Sequence, residues 1–150
     1  MNKFLIYIFV SLFSFLKLSY SSEILIESNE LVITNDPLTT TFIGNVYAFD
    51  DEIKLWSDKI LILYTETENQ IDQIKSFGNT KLVRENQKII SENMTYLVID
   101  RKIYAKGSVT LIQNENIMVG NELSVDLAES TSIMKSNENN RVTVKIINNE

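Results

Sequence analysis

The sequence contains no cysteine and no histidine, and these two absences exclude several kinds of chemistry. Without histidine there is no imidazole base for a catalytic triad, and without either residue there is no zinc site with nitrogen or sulfur ligands. The lack of cysteine also excludes disulfides and a lipoprotein anchor, so an exported form must be held by ordinary packing and strand pairing. Only one proline and four glycines are present, and all four glycines fall on a repeat.

Positive charge is scarce as well. The chain has 14 lysines and arginines against 20 aspartates and glutamates, a formal net charge of −6. An acidic domain repels nucleic acid, and no cluster of basic residues forms the stripe that would follow a phosphate backbone. We therefore expect no nucleic-acid partner.

The first 21 residues have the three-part pattern of a secretory signal peptide. A short basic start is followed by an apolar run over residues 4–16 and by small residues at Ser19 and Ser21. The run is shorter than the roughly 20 residues that cross a bilayer, and Lys17 interrupts it. The expectation is export to the periplasm and a single domain over residues 22–150. An uncleaved inner-membrane anchor is the alternative.

Glycine and serine mark a repeat through the remainder. Gly44 and Ser57 are 13 residues apart, and the same spacing separates Gly78 from Ser91 and Gly107 from Gly120. The second marks begin SNEL at residue 28, SDKI at 57, SENM at 91 and GNEL at 120, in steps of 29, 34 and 29 residues. A nearly fixed step of this length is typical of a repeat architecture.

Each copy predicts a glycine that opens a strand, a polar hairpin turn and a return strand. The expected turns lie at 50–52, 84–87 and 114–116, and a last alternating strand runs through Val142, Val144 and Ile146. Outside the signal segment we find no apolar pattern with the 3.6-residue period of a helix. The alternation indicates an all-β chain.

The return strands carry apolar or aromatic side chains three, five and seven residues after each serine or glycine mark. These side chains belong to Ile60, Ile62, Tyr64, Met94, Tyr96, Val98, Leu123, Val125 and Leu127. Successive residues of a strand point to opposite faces, so the stacked copies share one apolar wall. The wall is either a closed core or an open groove, and periodicity does not separate the two.

Four segments resemble the OstA-like family of periplasmic lipopolysaccharide-transport proteins. They are residues 24–29 (ILIESN), 42–46 (FIGNV), 57–60 (SDKI) and 120–127 (GNELSVDL). The resemblance implies a twisted, slightly open β-jellyroll of stacked antiparallel hairpins that forms a V-shaped trough. It also implies a carrier without cofactor or catalysis. Lipid A acyl chains of lipopolysaccharide would lie in the trough, and copies would join head to tail between the inner-membrane and outer-membrane transport components.

The same resemblance implies a set of lipid-binding positions, which are Ile24, Ile26, Val83, Met94, Tyr96 and Val98. Alternation adds Leu31, Ile33, Ile60, Ile62, Leu123 and Val125. Plain core packing is the alternative role for each of these side chains. Residues 23–27 and 142–147 are the expected first and last sheet edges, whose unpaired backbone groups would pair with like molecules and with the membrane components.

Two other interpretations remain open. One is the membrane-anchored partner of the same fold, which receives lipopolysaccharide at the inner membrane. The other is a polysaccharide-acting enzyme of the β-solenoid kind, which the three hairpin turns disfavour because they do not repeat a pair of acids. Asp50, Asp51 and Glu52 either bind a hard cation, supply paired carboxylates or form a solvated hairpin turn.

Overall fold

The computed structural model describes residues 23–67 and 70–147, and this part of the chain contains ten β-strands and no helix. The predicted signal peptide lies outside the described residues. The strands are β1 (Leu25–Glu27), β2 (Glu30–Asn35), β3 (Leu38–Phe49), β4 (Ile53–Tyr64), β5 (Ile71–Arg84), β6 (Gln87–Leu97), β7 (Lys102–Gln113), β8 (Asn116–Asp126), β9 (Thr131–Lys135) and β10 (Thr143–Lys145).

The strands form one antiparallel sheet in which β3 to β8 lie in sequence order. Two short strands complete each end of the sheet: β1 and β2 both pair with β3, and β9 and β10 both pair with β8. Sequential antiparallel pairing is what tight hairpin turns between long strands produce. The all-β prediction is confirmed, and the three predicted hairpin turns separate β3 from β4, β5 from β6 and β7 from β8.

The glycines do not open the strands, so that prediction is wrong. Gly44, Gly78 and Gly107 lie in the middle of β3, β5 and β7, with φ of 81°, 77° and 80°. The residue after each glycine also has a positive φ, and the strand register shifts at all three places. The repeat therefore marks β-bulges, for which glycine is favoured because it has no Cβ to clash in the left-handed region.

The bulges divide the sheet into two laminae. Lamina 1 is the part between β2 and β9, and lamina 2 is the part between β1 and β10. A bulge bends its strand, and three bulges in register bend the sheet as a whole. Inward side chains of both laminae then pack together, as Leu111 of lamina 2 does with Leu123 of lamina 1 in one cluster.

The core consists of two clusters that meet at Leu55. One lies among β3, β4 and their neighbours around Val46, Ile60 and Ile62, and the other lies mainly among β6, β7 and β8. Buried hydroxyls occupy the bend between the laminae. The oxygens of Ser57 and Thr80 are 3.3 Å apart, and the Thr80 hydroxyl donates to Ser76 at 3.2 Å, so these polar groups have partners.

Strand β9 is the element that the sequence does not predict. Its register turns Ser132 and Met134 inward beside Val125 and Leu123, whereas Ile133 is exposed. This order of polar and apolar residues over only five positions provides little periodicity. The segment forms a strand because it pairs with β8, although its own sequence has little strand periodicity.

Candidate functional site: an apolar cavity between the laminae

An open cavity of about 380 Å³ lies between the two laminae, mainly on the side of β1 to β6. Its volume is in the range of roughly 300–1,000 Å³ that small-molecule sites occupy. The lining residues are Ile24, Ile26, Phe42, Ala48, Phe49, Asp50, Ile53, Leu55, Ile60, Ile62, Tyr64, Ile71, Ile74, Ser76, Leu82, Met94, Tyr96, Ile103 and Leu127.

Strand register builds one wall of the cavity on lamina 1. Ile62, Ile74 and Tyr96 are cross-strand partners on β4, β5 and β6. Partners in one row of a sheet point to the same face, so these three side chains form a continuous apolar strip. A parallel strip contains Ile60 and Met94 on either side of Ser76.

Lamina 2 supplies the opposite wall, and β1 closes it at the edge. Ala48, Leu55 and Leu82 are partners across β3, β4 and β5. Ile26 pairs with Ala48 from β1, and Ile24 precedes that strand with 46% of its surface exposed. The cavity therefore reaches the first edge of the sheet, where its lining is in contact with solvent.

Most of the few polar groups of the lining are already engaged in the structure. The Thr40 and Tyr64 hydroxyl oxygens are 3.1 Å apart, and Asp50 Oδ1 accepts the backbone N–H groups of Glu52 and Ile53 at 2.8 and 2.7 Å. Asp50 thus closes the β3–β4 hairpin as an Asx turn. Among the described residues no three metal-ligating side chains lie close enough to hold an ion. The rest of the lining consists mainly of apolar side chains and is suited to an apolar ligand.

The other end of the sheet is filled. Ala105, Val109 and Leu123 are each no more than 1% exposed, and Ile103, Leu111 and Val125 pack with them. Met134 from β9 covers this cluster. The two interpretations of the apolar wall therefore each hold for one part: it lines an open groove near β1 and forms a packed core near β9.

A comparison with models of protein families matches residues 25–131 to the family described as "LptA/(LptD N-terminal domain) LPS transport protein". The chain belongs to this family. The LptA-type family consists of transport proteins and not of enzymes. No helix within the described residues is long and apolar enough to cross a membrane.

A solved structure shows the same LptA-type fold. It is described as LptH, the LptA-homologous periplasmic component of the lipopolysaccharide transport device from Pseudomonas aeruginosa. The match has a TM-score of 0.75 and 12% sequence identity, and it covers 84% of this chain and 96% of that one. The predicted β-jellyroll fold is thereby confirmed. An uncharacterized protein of Rickettsia prowazekii (strain Madrid E), RP507, is 26% identical over 125 residues, 81% of this chain and 86% of that protein.

Half of the predicted lipid-binding residues lie around the cavity of this LptA-type domain. They are Ile24, Ile26, Ile60, Ile62, Met94 and Tyr96. Ile60, Ile62 and Met94 are in addition core residues, at 1%, 4% and 4% exposure. The structure brings these six side chains together from β1, β4 and β6, which are far apart in the sequence.

The other six predicted residues lie elsewhere. Leu31 and Ile33 share the inward face with Phe42 and Thr40 but are exposed at the edge on β2. Leu123 and Val125 are buried in the filled end. Val98 lies in the turn after β6.

Val83 is the one predicted residue on the outer face. It lies between Lys54 and Lys88 across the strands, and its neighbour Leu82 occupies the inward position. Inward positions of β5 are even-numbered on both sides of the bulge, as at Ile74, Ser76 and Leu82, so Val83 points outward.

Sequence reasoning missed several lining residues of the LptA-type cavity, chiefly Phe42, Leu55, Ile74 and Leu82. Phe42 lies two residues from Thr40 and shares its face of β3, so the period of two in the sequence indicates its position. Ile71 and Ile74 do not alternate, because the register shifts between Leu63 and Tyr64 where β4 meets β5. That irregularity is not readable from the sequence.

Trp56, which carries no assigned role in the sequence, lies on the outer face of lamina 2. Its ring stacks on Tyr47 with centroids 4.9 Å apart, and Lys81 Nζ lies 3.9 Å from the centroid of the Trp56 ring. The three residues are direct cross-strand partners. They stabilise the pairing of β3, β4 and β5 through stacking and a cation–π contact.

Proposed function

We propose that this protein carries lipopolysaccharide through the periplasm by holding its acyl chains in the apolar cavity. The observation that carries this proposal is the cavity itself, whose walls are hydrocarbon apart from Asp50, Ser76 and two tyrosine hydroxyls. Exposing a methylene group to water costs about 0.8 kcal/mol, so an acyl chain crossing an aqueous compartment needs such a lining. Membership of the LptA-type family supports the same conclusion.

The open position of the cavity suits a carrier. A lipid that is to be handed on must leave again, and a fully enclosed site would retain it. Ile24 and Ile26 line the cavity at the first edge of the sheet, where the next molecule would dock. The acyl chains would therefore pass between molecules beside these two residues.

Both ends of the sheet support a bridge of molecules joined head to tail. Exposed apolar side chains occur at the first edge, on Leu25, Val32 and Ile33, and at the last edge, on Val144 and Ile146. Edge strands with unpaired backbone groups and apolar side chains are templates for another strand. We infer that the first edge of one copy adds to the last edge of the next, and that the end copies contact the transport components of the two membranes.

Site-specific photocrosslinking in cells tests the proposed function. A photoreactive side chain at position 96 replaces Tyr96 in the cavity, and one at position 95 replaces Thr95, which points to the outer face beside Lys75 and Tyr104. We expect lipopolysaccharide adducts at position 96 and none at position 95. Adducts at neither position, in a protein that is folded and exported, would overturn the proposal.

The N-terminus of the protein from cells separates the carrier from the membrane-anchored partner of the same fold. A periplasmic protein that begins near Ser22 supports the carrier. An intact Met1 in the inner-membrane fraction would instead assign the anchored role.

A further inference from the structure

A second, polar pocket lies at the hairpin tips of lamina 2, beside the apolar cavity. Its volume is about 240 Å³, and it is lined by Arg84, Glu85, Asn86, Gln87, Gln113 and Asn114. The backbone N–H of Asn114 donates to the carbonyl of Asn86 at 3.3 Å, which ties the β5–β6 tip to the β7–β8 tip. The pocket is therefore held by two hairpins and not by one mobile loop.

The polar pocket continues the apolar wall without a break. Arg84 pairs across the strands with Ile53 on β4 and with Gln87 on β6, and Gln87 pairs with Gln113 on β7. One inward row earlier, the partners are Leu55, Leu82, Ile89 and Leu111. The inner face of lamina 2 thus changes from hydrocarbon to amides over a single row, and Ile53 and Leu82 line the apolar cavity next to it.

Arg84 has a donor without an acceptor. Its Nε is buried and makes no hydrogen bond, and it is the one side-chain nitrogen or oxygen atom in that condition among the described residues. The other end of the guanidinium is 3.4 Å from Glu52, whose side chain is largely exposed. A buried unsatisfied donor is costly, and an oxygen of a bound ligand that reached Nε would remove that cost.

We propose that this pocket binds hydroxyl groups of the saccharide part of the same amphiphile whose acyl chains occupy the apolar cavity. This inference rests on the proposed function. Side-chain amides both donate and accept hydrogen bonds, as sugar hydroxyls do, and four of the six lining residues are amides. A phosphate is the less suitable ligand, because Asp51, Glu52 and Glu85 place negative charge at the same hairpin tips.

Two detergents with the same dodecyl chain test the inference. Dodecyl maltoside carries a saccharide and dodecylphosphocholine does not, and each is titrated below its micelle concentration into the intact domain. The variant Arg84→Met keeps an unbranched apolar stem that reaches about as far as Nε and removes the donors, and Arg141→Met, on an exposed arginine before β10, is the matched control. We expect Arg84→Met to lower the affinity for dodecyl maltoside about tenfold, as loss of one hydrogen bond to a charged group would. Binding of the phosphocholine detergent should not change.

The outcomes separate this inference from the proposed function. If Arg84→Met loses affinity equally for both detergents, or for neither, the saccharide site is overturned while the carrier function stands. A third titration uses dodecyl phosphate. If Arg84→Met selectively weakens the binding of this ligand, the pocket is an anion site and the saccharide assignment is overturned. If the parent protein binds none of the three, the carrier function itself fails. Gln113→Met repeats the test on a second lining residue, so that misfolding of one variant does not decide it.

Discussion

Asn79 and Asp58 meet across the bend of the sheet, where Asn79 Nδ2 donates to Asp58 Oδ2 at 2.8 Å. Asn79 follows Gly78 in the bulge of β5, and Asp58 belongs to the Ser-Asp mark on the adjacent strand. The two marks of the sequence repeat are thus neighbours in space. They occur at the same position in each unit because that is where each long strand bends from one lamina into the other.

The bulge predicts that a side chain added at Gly78 lowers the free energy of unfolding. We expect Gly78→Ala to destabilise the domain by about 1–2 kcal/mol, because φ is positive there and a Cβ would meet the side chain of Asp58. Asn79→Gly is the control, since glycine suits the left-handed φ of 49° and only an exposed hydrogen bond is lost. Urea unfolding measures both variants. Equal stability of Gly78→Ala and the parent would contradict this account of the bend.

The division between filled and open ends predicts different responses to truncation of apolar side chains. Leu123→Ala should cost about 2–5 kcal/mol, since Leu123 is 1% exposed in the filled end. Ile26→Ala should cost less than half as much, because Ile26 is only half-buried beside the cavity. Thermal unfolding compares the stabilities of the two variants. Titration with a dodecyl-chain detergent compares their ligand affinities. We expect a clear loss of binding for Ile26→Ala only.

Filling the cavity should abolish ligand binding without unfolding the domain. Ile74→Trp places a larger side chain against Ile62 and Tyr96, so we expect at least a tenfold loss of detergent affinity with the melting temperature nearly unchanged. Lys75→Trp is the matched control, because Lys75 is the next residue and pairs with Leu61 and Thr95 on the outer face. Similar affinities for the two variants would place the ligand outside the cavity.

The last edge of the sheet should control assembly. Val144 and Ile146 are 52% and 68% exposed, and lysine at both positions would place two charges where another apolar edge docks. We expect the double variant to shift the sedimentation profile toward the monomer at concentrations where the parent forms longer species. Asn139→Lys adds charge in the exposed loop before β10 and should leave the profile as it is. An unchanged profile for the double variant would count against pairing through this edge.

The lowered pKa of the Asp126 carboxyl predicts that the turn after β8 loses stability in acid. The pKa of its carboxyl lies below the ordinary value of 3.8, chiefly because the Glu129 backbone N–H donates to it; burial opposes this shift, and the Ala128 N–H and Lys102 assist it. Since the folded pKa is lowered, the stabilisation is present above the unfolded pKa and is lost as pH falls through the folded one.

Asp126→Asn should therefore lower the melting temperature at pH 7 and have a smaller effect near pH 3, which is below the ordinary pKa of 3.8 and where part of the stabilisation is already lost. Asp51→Asn, at an exposed hairpin tip, is the comparison. A difference between Asp126→Asn and the parent that stays constant from pH 7 to pH 3 would exclude the charge as its cause.

Much of the fold follows from local pattern in the sequence. Alternation in Ile60–Ile62 and Met94–Tyr96 establishes strands with one apolar face, and polar turns at 50–52 and 114–116 make their neighbours antiparallel. Six of the twelve predicted lipid-binding residues line the cavity. Alternation added Ile60 and Ile62 to the prediction, and the other four came from the family resemblance. These features depend on residues close together in the chain.

The sequence by itself determined the all-β class, the hairpin order and the apolar face. The tertiary structure decided where that face encloses a cavity and where it is filled: Met134 of β9 packs on one end, whereas Ile24 stays exposed at the other. It also decided that Val83 points outward, because its neighbour Leu82 packs inward against Leu55 and Ile89 on the adjacent strands. Both results depend on contacts between strands that are distant in the chain, and a local pattern contains no information about which layers meet.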